Sequence, residues 1–179
     1  MPPSAATIVQ PSHAPIDFSA LFREEAPFVG RTLRYLGVAE AQVPDACQEV
    51  FLVVHQKLAT FVGGPIRAWI RQICVHVAQN QRRSIRRRRE DTVDEPPEGV
   101  AEACQQETVE QRQLRDRLLA LLDQLPAQQR AVFVLFELEE LTMAETAIAV
   151  GCPLQTAYSR LHSARAGIRS AFASVGGEP

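Results

Sequence analysis

Residues 125–169 read LPAQQRAVFVLFELEELTMAETAIAVGCPLQTAYSRLHSARAGIR. Two short helical patterns meet at Gly151, followed by Cys152-Pro153, and a glycine takes the positive φ that a tight turn between two helices requires. Thr142 stands three residues before Glu145, the spacing of a capping box opening the first of these helices. The second, from about Leu154, carries Arg160, Arg165 and Arg169 with no acid before Ser170. An exposed helical face of small polar and cationic side chains suits the major groove of DNA. The stretch is expected to be a helix-turn-helix, and it orients the reading of the chain toward nucleic acid.

Outward from this stretch, 179 residues allow one domain or two small ones. Apolar residues make up 46% of the chain, enough for a core, and period-two runs of β-branched residues are absent. Leu, Ala, Arg, Gln and Glu dominate, which favours helices. The expected fold class is all-α. A net charge of −2 hides a segregation: eight Arg and no acid over residues 61–89, then eight acids and no base over residues 90–110. A basic face followed by an acidic segment fits a nucleic-acid surface with a solvated or nucleic-acid-mimicking neighbour.

Several function classes are disfavoured. Cys47, Cys74, Cys104 and Cys152 form no C-x-x-C pair, and His13, His55, His76 and His162 are equally scattered, so no metal site or cofactor is expected. Cys47, Cys74 and Cys152 fall in apolar helical contexts, where reduced buried thiols are expected. No Gly-rich phosphate loop, catalytic carboxylate pair or nucleophile beside a His is legible, so the chain is expected not to be an enzyme. The start, MPPSAATIVQPSHAP, lacks the basic head and apolar core of a signal peptide, and no apolar run reaches the ~20 residues of a bilayer span. A cytoplasmic protein without direct membrane insertion is expected.

The pattern divides the chain into four parts. Residues 1–15, rich in Pro, Ser and Ala, are expected to be disordered. Residues 16–89 form a first helical block, in which Phe18, Leu21 and Phe22 begin a short helix that Pro27 interrupts or restarts. Val50, Phe51, Val54 and Leu58 mark one face of a helix from about Pro44, and the Val62-Gly63-Gly64-Pro65 break precedes a long helix over residues 66–88 striped by Trp69, Ile70, Ile73 and Val77. Residues 90–106 lose periodicity, carry Pro96-Pro97, and read as an acidic flexible linker. Residues 107–173 hold four helical patterns and the helix-turn-helix.

Two further motifs make a family resemblance specific. Asp45-Ala-Cys-Gln48-Glu49-Val-Phe51 resembles the D-x-x-Q-E-x-F signature of the extracytoplasmic-function sigma factors, bacterial promoter-specificity subunits of RNA polymerase, and residues 66–73, IRAWIRQI, resemble their F-R-A-W-L-x-x-I segment. Leu125-Pro126 with Arg130 is similar to their L-P-x-x-x-R segment. The resemblance implies region 2 in residues 16–89 and region 4 in residues 107–173. It implies that Asp45, Gln48 and Glu49 face the clamp helices of the polymerase largest subunit, with region 4 near the flap. For the −10 element it implies Phe61, Gly63, Gly64, Arg67, Trp69, His76, Asn80, Arg82 and Arg83. For the −35 element it implies Gln155, Thr156, Tyr158, Ser159, Arg160, His162, Ser163 and Arg165. Leu154 and Leu161 are core by spacing, and Trp69 is a core anchor before it is a base-stacking platform.

The family also implies promoter DNA, core RNA polymerase and an anti-sigma factor as partners. The alternative is a self-sufficient helix-turn-helix regulator, which would need neither the Asp45 motif nor the Trp69 segment. This chain departs from the family pattern at His76, where Asn is common, and in its short Gly-Gly-Pro loop. Tyr158 and Ser163 replace usual cations, and Thr146 and Ile148 exchange the usual polarity.

Overall fold

The computed structural model describes residues 16–91 and 108–175, with side chains over residues 16–83 and 108–173. The described residues form helices and no strand, arranged as α1 (Phe18–Tyr35), α2 (Val43–Lys57), α3 (Ile66–Asp91), α4 (Val109–Asp123), α5 (Ala127–Phe133), α6 (Met143–Val150) and α7 (Leu154–Val175). None is long and apolar enough to cross a membrane. Residues 1–15 and 92–107 lie outside the described residues, as do the expectations of disorder and of most of the linker that fall there. The linker was expected from residue 90, but α3 runs to Asp91.

Several helix boundaries have a local cause. The Asp17 carboxylate accepts from the Ser19 amide and starts α1. Pro27 does not interrupt α1, contrary to expectation: the helix is continuous for 18 residues. Pro27 is exposed, so its ring meets solvent and displaces no core side chain. Val29 and Leu33, both at 0% exposure, anchor the following turns in the core. Each such burial contributes about 1.5–3 kcal/mol, against about 3 kcal/mol for an interior proline. Thr108 with Gln111 and Thr142 with Glu145 form reciprocal capping boxes on α4 and α6.

Two left-handed glycines shape the packing. Gly151 ends α6 at φ 70°, as the helix-turn-helix reading requires. Gly37, at φ 90°, ends the α1 turn where the Arg82 and Arg130 guanidinium groups press against it, so a side chain there would meet both strain and collision.

The expected stripes are mostly core, while Leu58 and Trp69 are only half-buried against it. Val50, Phe51, Val54, Ile70, Ile73 and Val77 are buried between α1, α2 and α3. A smaller cluster of Val132, Met143, Ala147, Ala157 and Leu161 belongs to the helix-turn-helix itself. Leu154 is not core, contrary to expectation: it is 48% exposed. It opens α7, and a helical side chain leans toward the N-terminus, where no preceding turn exists to cover it. Cys74 is buried, but Cys47 and Cys152 are only half-buried, since each borders a groove or turn, and Cys104 lies outside the described residues.

The two blocks share one core. Leu122, Leu125, Leu135 and Leu141 join Leu33, Leu36, Val75 and Ala78 in a single buried cluster. Helix α6 packs along α3, and α4 touches α1. Sequence patterning alone described two tethered modules. It could not show that each leaves an apolar edge that the other covers.

Candidate nucleic-acid and polymerase interface

On α2, Ala46, Val50 and Val54 point inward, so Asp45, Gln48 and Glu49 lie exposed on the opposite face. Beside them runs an apolar groove of about 610 Å³ lined by Phe18, Phe22, Phe51 and Leu52. Phe22 and Leu52 are 44% and 54% exposed. A face combining two carboxylates, an amide and adjacent aromatic surface can pair with cations of another protein while burying apolar area.

The residues expected at the −10 element separate into two sets. Trp69, His76, Asn80 and Arg83 succeed one another at spacings of seven, four and three residues, which puts them on one face of α3. His76, Asn80 and Arg83 are exposed, and half-buried Trp69 meets the Phe61 ring at a centroid distance of 4.9 Å. Gly63 and Gly64, both at positive φ, form the exposed turn before this face.

Arg67 and Arg82 are not brought to that face. Arg67 donates from Nε to Glu25 at 2.8 Å and from Nη2 to Glu24 at 2.6 Å, which holds its guanidinium more firmly protonated. Arg82 lies half-buried beside Arg130 in the cleft between the two blocks, and burial followed by the Arg130 charge lowers its proton affinity. Their register on α3 turns both away from Trp69.

On α7, Gln155, Tyr158, Ser159, His162, Ser163 and Arg165 are exposed, while Thr156 and Arg160 are half-buried. Arg160 donates to Gln128 of α5. Arg165 donates to Glu137 at 2.6 Å and sits 5.9 Å from the Phe136 ring centroid. Both arginines therefore brace α7 against the preceding segment in this conformation. Thr146 is fully buried with its hydroxyl unpaired, and Ile148 is 67% exposed, so on α6 a polar residue faces inward and an apolar one outward.

Sequence reading missed a set of buried charges. Glu25, at 1% side-chain exposure, accepts from Arg67 and, at 2.7 Å, from Arg71. Arg71 Nε donates to Glu139 of the other block at 3.0 Å, and the Thr32 hydroxyl donates to the same carboxylate at 2.8 Å. Burial alone would lower the proton affinity of Arg71, but Glu25 and Glu139 outweigh it and raise the value. Arg130, 2% exposed, donates to the Tyr35 and Arg34 carbonyls and pairs with Asp123. One signal was present: Glu25 stands four residues from both Leu21 and Val29, so it interrupts an apolar stripe with an acid.

Comparison with known proteins agrees with this architecture. The family model for sigma-70 region 2 matches residues 21–89, and that for sigma-70 region 4 matches residues 115–166. The chain is 29% identical over 160 residues to the ECF RNA polymerase sigma factor SigE of Mycolicibacterium smegmatis, covering 88% of this chain and 62% of that protein. It is 28% identical over 148 residues to the ECF RNA polymerase sigma-E factor of Escherichia coli K12, covering 73% and 74%. In fold it is similar to the sigma factor RpoE of Bartonella quintana, solved with the anti-sigma factor NepR. That match has a TM-score of 0.71 and 22% identity, over 86% of this chain and 95% of that one.

Proposed function

The chain belongs to the sigma-70 family, in its extracytoplasmic-function branch, and from that premise we propose that it binds core RNA polymerase and directs it to promoters. In this reading it is a cytoplasmic, non-enzymatic subunit, and phosphodiester chemistry belongs to the polymerase. Residues 16–89 engage the polymerase and the −10 element, residues 107–173 engage the −35 element, and residues 90–106 connect them. The observation that carries the reading is the presence on one chain of two matched modules, one with an exposed Asp45–Gln48–Glu49 face and one with a helix-turn-helix.

Asp45, Gln48 and Glu49 would pair with the clamp helices of the largest subunit, and region 4 would lie near the flap. Phe61 and Trp69 would receive an unstacked base, with the Gly63-Gly64 turn allowing close approach and His76 and Asn80 reading its edge. Arg67, Arg82 and Arg83 would contact phosphates, which add affinity but no sequence information, and the first two must leave their present surroundings to do so. Gln155, Thr156, Tyr158, Ser159, Arg160, His162, Ser163 and Arg165 would meet the −35 major groove. A good bidentate base contact there contributes about 1–3 kcal/mol of discrimination. The anti-sigma factor in the Bartonella structure supports a similar inhibitory partner here.

The test is co-elution of the purified chain with core polymerase on size exclusion, beside an Asp45→Ala/Glu49→Ala variant. Association lost on double substitution is the expected result. Failure of the unsubstituted chain to associate would refute the reading and favour a free-standing DNA-binding regulator.

A further inference from the structure

The geometry points to a latch within the chain: Glu139 of the helix-turn-helix half docks into a recess formed by Arg31, Thr32 and Arg71 of the other half, holding the free protein closed. This rests on the promoter-reading function proposed above, and it says how that function is restrained before polymerase and DNA are engaged.

The recess is built for one carboxylate. Glu139 Oε2 accepts from Arg71 at 3.0 Å, Oε1 accepts from Thr32 at 2.8 Å, and Arg31 stands 3.7 Å from Oε1. The side chains of Glu139 and Arg71 are 2% and 5% exposed, and Thr32 is fully buried, so the carboxylate is removed from water and repaired by donors from the opposite half. The charges close only when the halves meet. Arg31, Arg67 and Arg71 face Glu24, Glu25 and Glu139, and all three arginines surround the Phe28 ring at 4.9–5.8 Å. Without Glu139 this cluster, three arginines facing Glu24 and Glu25, holds one cation in excess.

The segment that delivers Glu139 is unusual. Residues Val134–Leu138 form a π-helical turn between α5 and α6, a rare local departure that is frequent at functional sites. Glu140, immediately after, has a positive φ of 55° without being glycine. The backbone is thus bent where the docking carboxylate leaves it. Arg130 makes a second attachment, reaching from α5 to the carbonyls that end α1.

The closed form cannot read a promoter with both modules. Arg82 and Arg83 from α3 and Arg160 from α7 line one cleft of about 490 Å³, so basic residues assigned to separate promoter elements lie within one small cavity. Two turns of DNA correspond to about 70 Å. Opening uncovers the shared apolar cluster together with these charged groups, so the parted surfaces are mixed in the way of interfaces between domains that move.

The experiment is small-angle scattering on the full chain, comparing the unsubstituted protein with Glu139→Arg and with Glu139→Gln, each checked for helicity by circular dichroism. A closed globule of this length has a radius of gyration of about 16 Å, and two parted halves give about 20 Å or more. The expected result is a compact unsubstituted chain, a rise of about a quarter for Glu139→Arg, and unchanged helicity. An unsubstituted chain already as large as Glu139→Arg, or no rise with helicity intact, overturns the latch. Should Glu139→Arg lose helicity, the near-isosteric Glu139→Gln decides: a rise supports the latch and an unchanged radius overturns it. Scattering uses neither polymerase nor DNA. If core polymerase fails to bind while the expansion is seen, the proposed function falls and the latch stands.

Discussion

Arg34 and Glu40 show how little an exposed ion pair contributes compared with the buried charges. Arg34 donates from Nε and Nη2 to the two Glu40 oxygens, each at 2.7 Å. That hydrogen bonding, against the opposing effect of burial and with the Arg34 charge, holds the Glu40 carboxyl below its ordinary value of 4.5. Because the folded value is lowered, the stabilisation is complete above the unfolded value and is lost as pH falls through the folded one. Glu40 is 46% exposed, so solvent screening leaves at most about 0.5 kcal/mol. Glu40→Gln is expected to lower stability by about that amount at pH 7, with the difference gone well below the carboxylate range, as read by urea denaturation at both pH values. Cys74 sits at the other extreme. Burial pushes its thiol far up, so at neutral pH it is a packing residue and an unreactive one.

At the scale of elements, α6 is held at both ends by devices visible in its sequence. Thr142 and Glu145 cap its start, and Gly151 closes it in the left-handed conformation with open space around the position of a Cβ. Thr142→Ala should cost about 1 kcal/mol through the lost cap. Gly151→Ala should also cost about 1 kcal/mol, from backbone strain alone. The two sites lie at opposite ends of the helix and share no partner, so the double variant should lose their sum, measured by chemical denaturation. A neutral Gly151→Ala would contradict the left-handed turn. The segment before α6 could not be read in this way. AVFVLFELEEL has the apolar spacing of an ordinary helix, and nothing in that spacing marks the π turn that precedes Glu139.

At the scale of the molecule, the shared cluster joining Leu33, Leu36 and Val75 to Leu122, Leu135 and Leu141 makes the closed chain one cooperative unit. Calorimetry of the unsubstituted protein should give a single transition whose van't Hoff and calorimetric enthalpies agree. Two resolved transitions would mean that the halves unfold independently and that the common core does not hold in solution.

The residues of this chain determined by themselves that it is helical, where most helices begin, that residues 125–169 turn around Gly151, and which family it belongs to. Those features depend on spacing, caps and short motifs, which act within a few turns of one helix. The tertiary structure alone decided that Arg67 and Arg82 lie away from the face of Trp69, His76 and Asn80, and that Arg160 and Arg165 brace α7. It also decided that Glu139 enters a recess 107 residues distant in sequence, at Thr32. A charged side chain goes wherever the fold places its counter-charge out of water, and local periodicity carries no record of which distant residue supplies it.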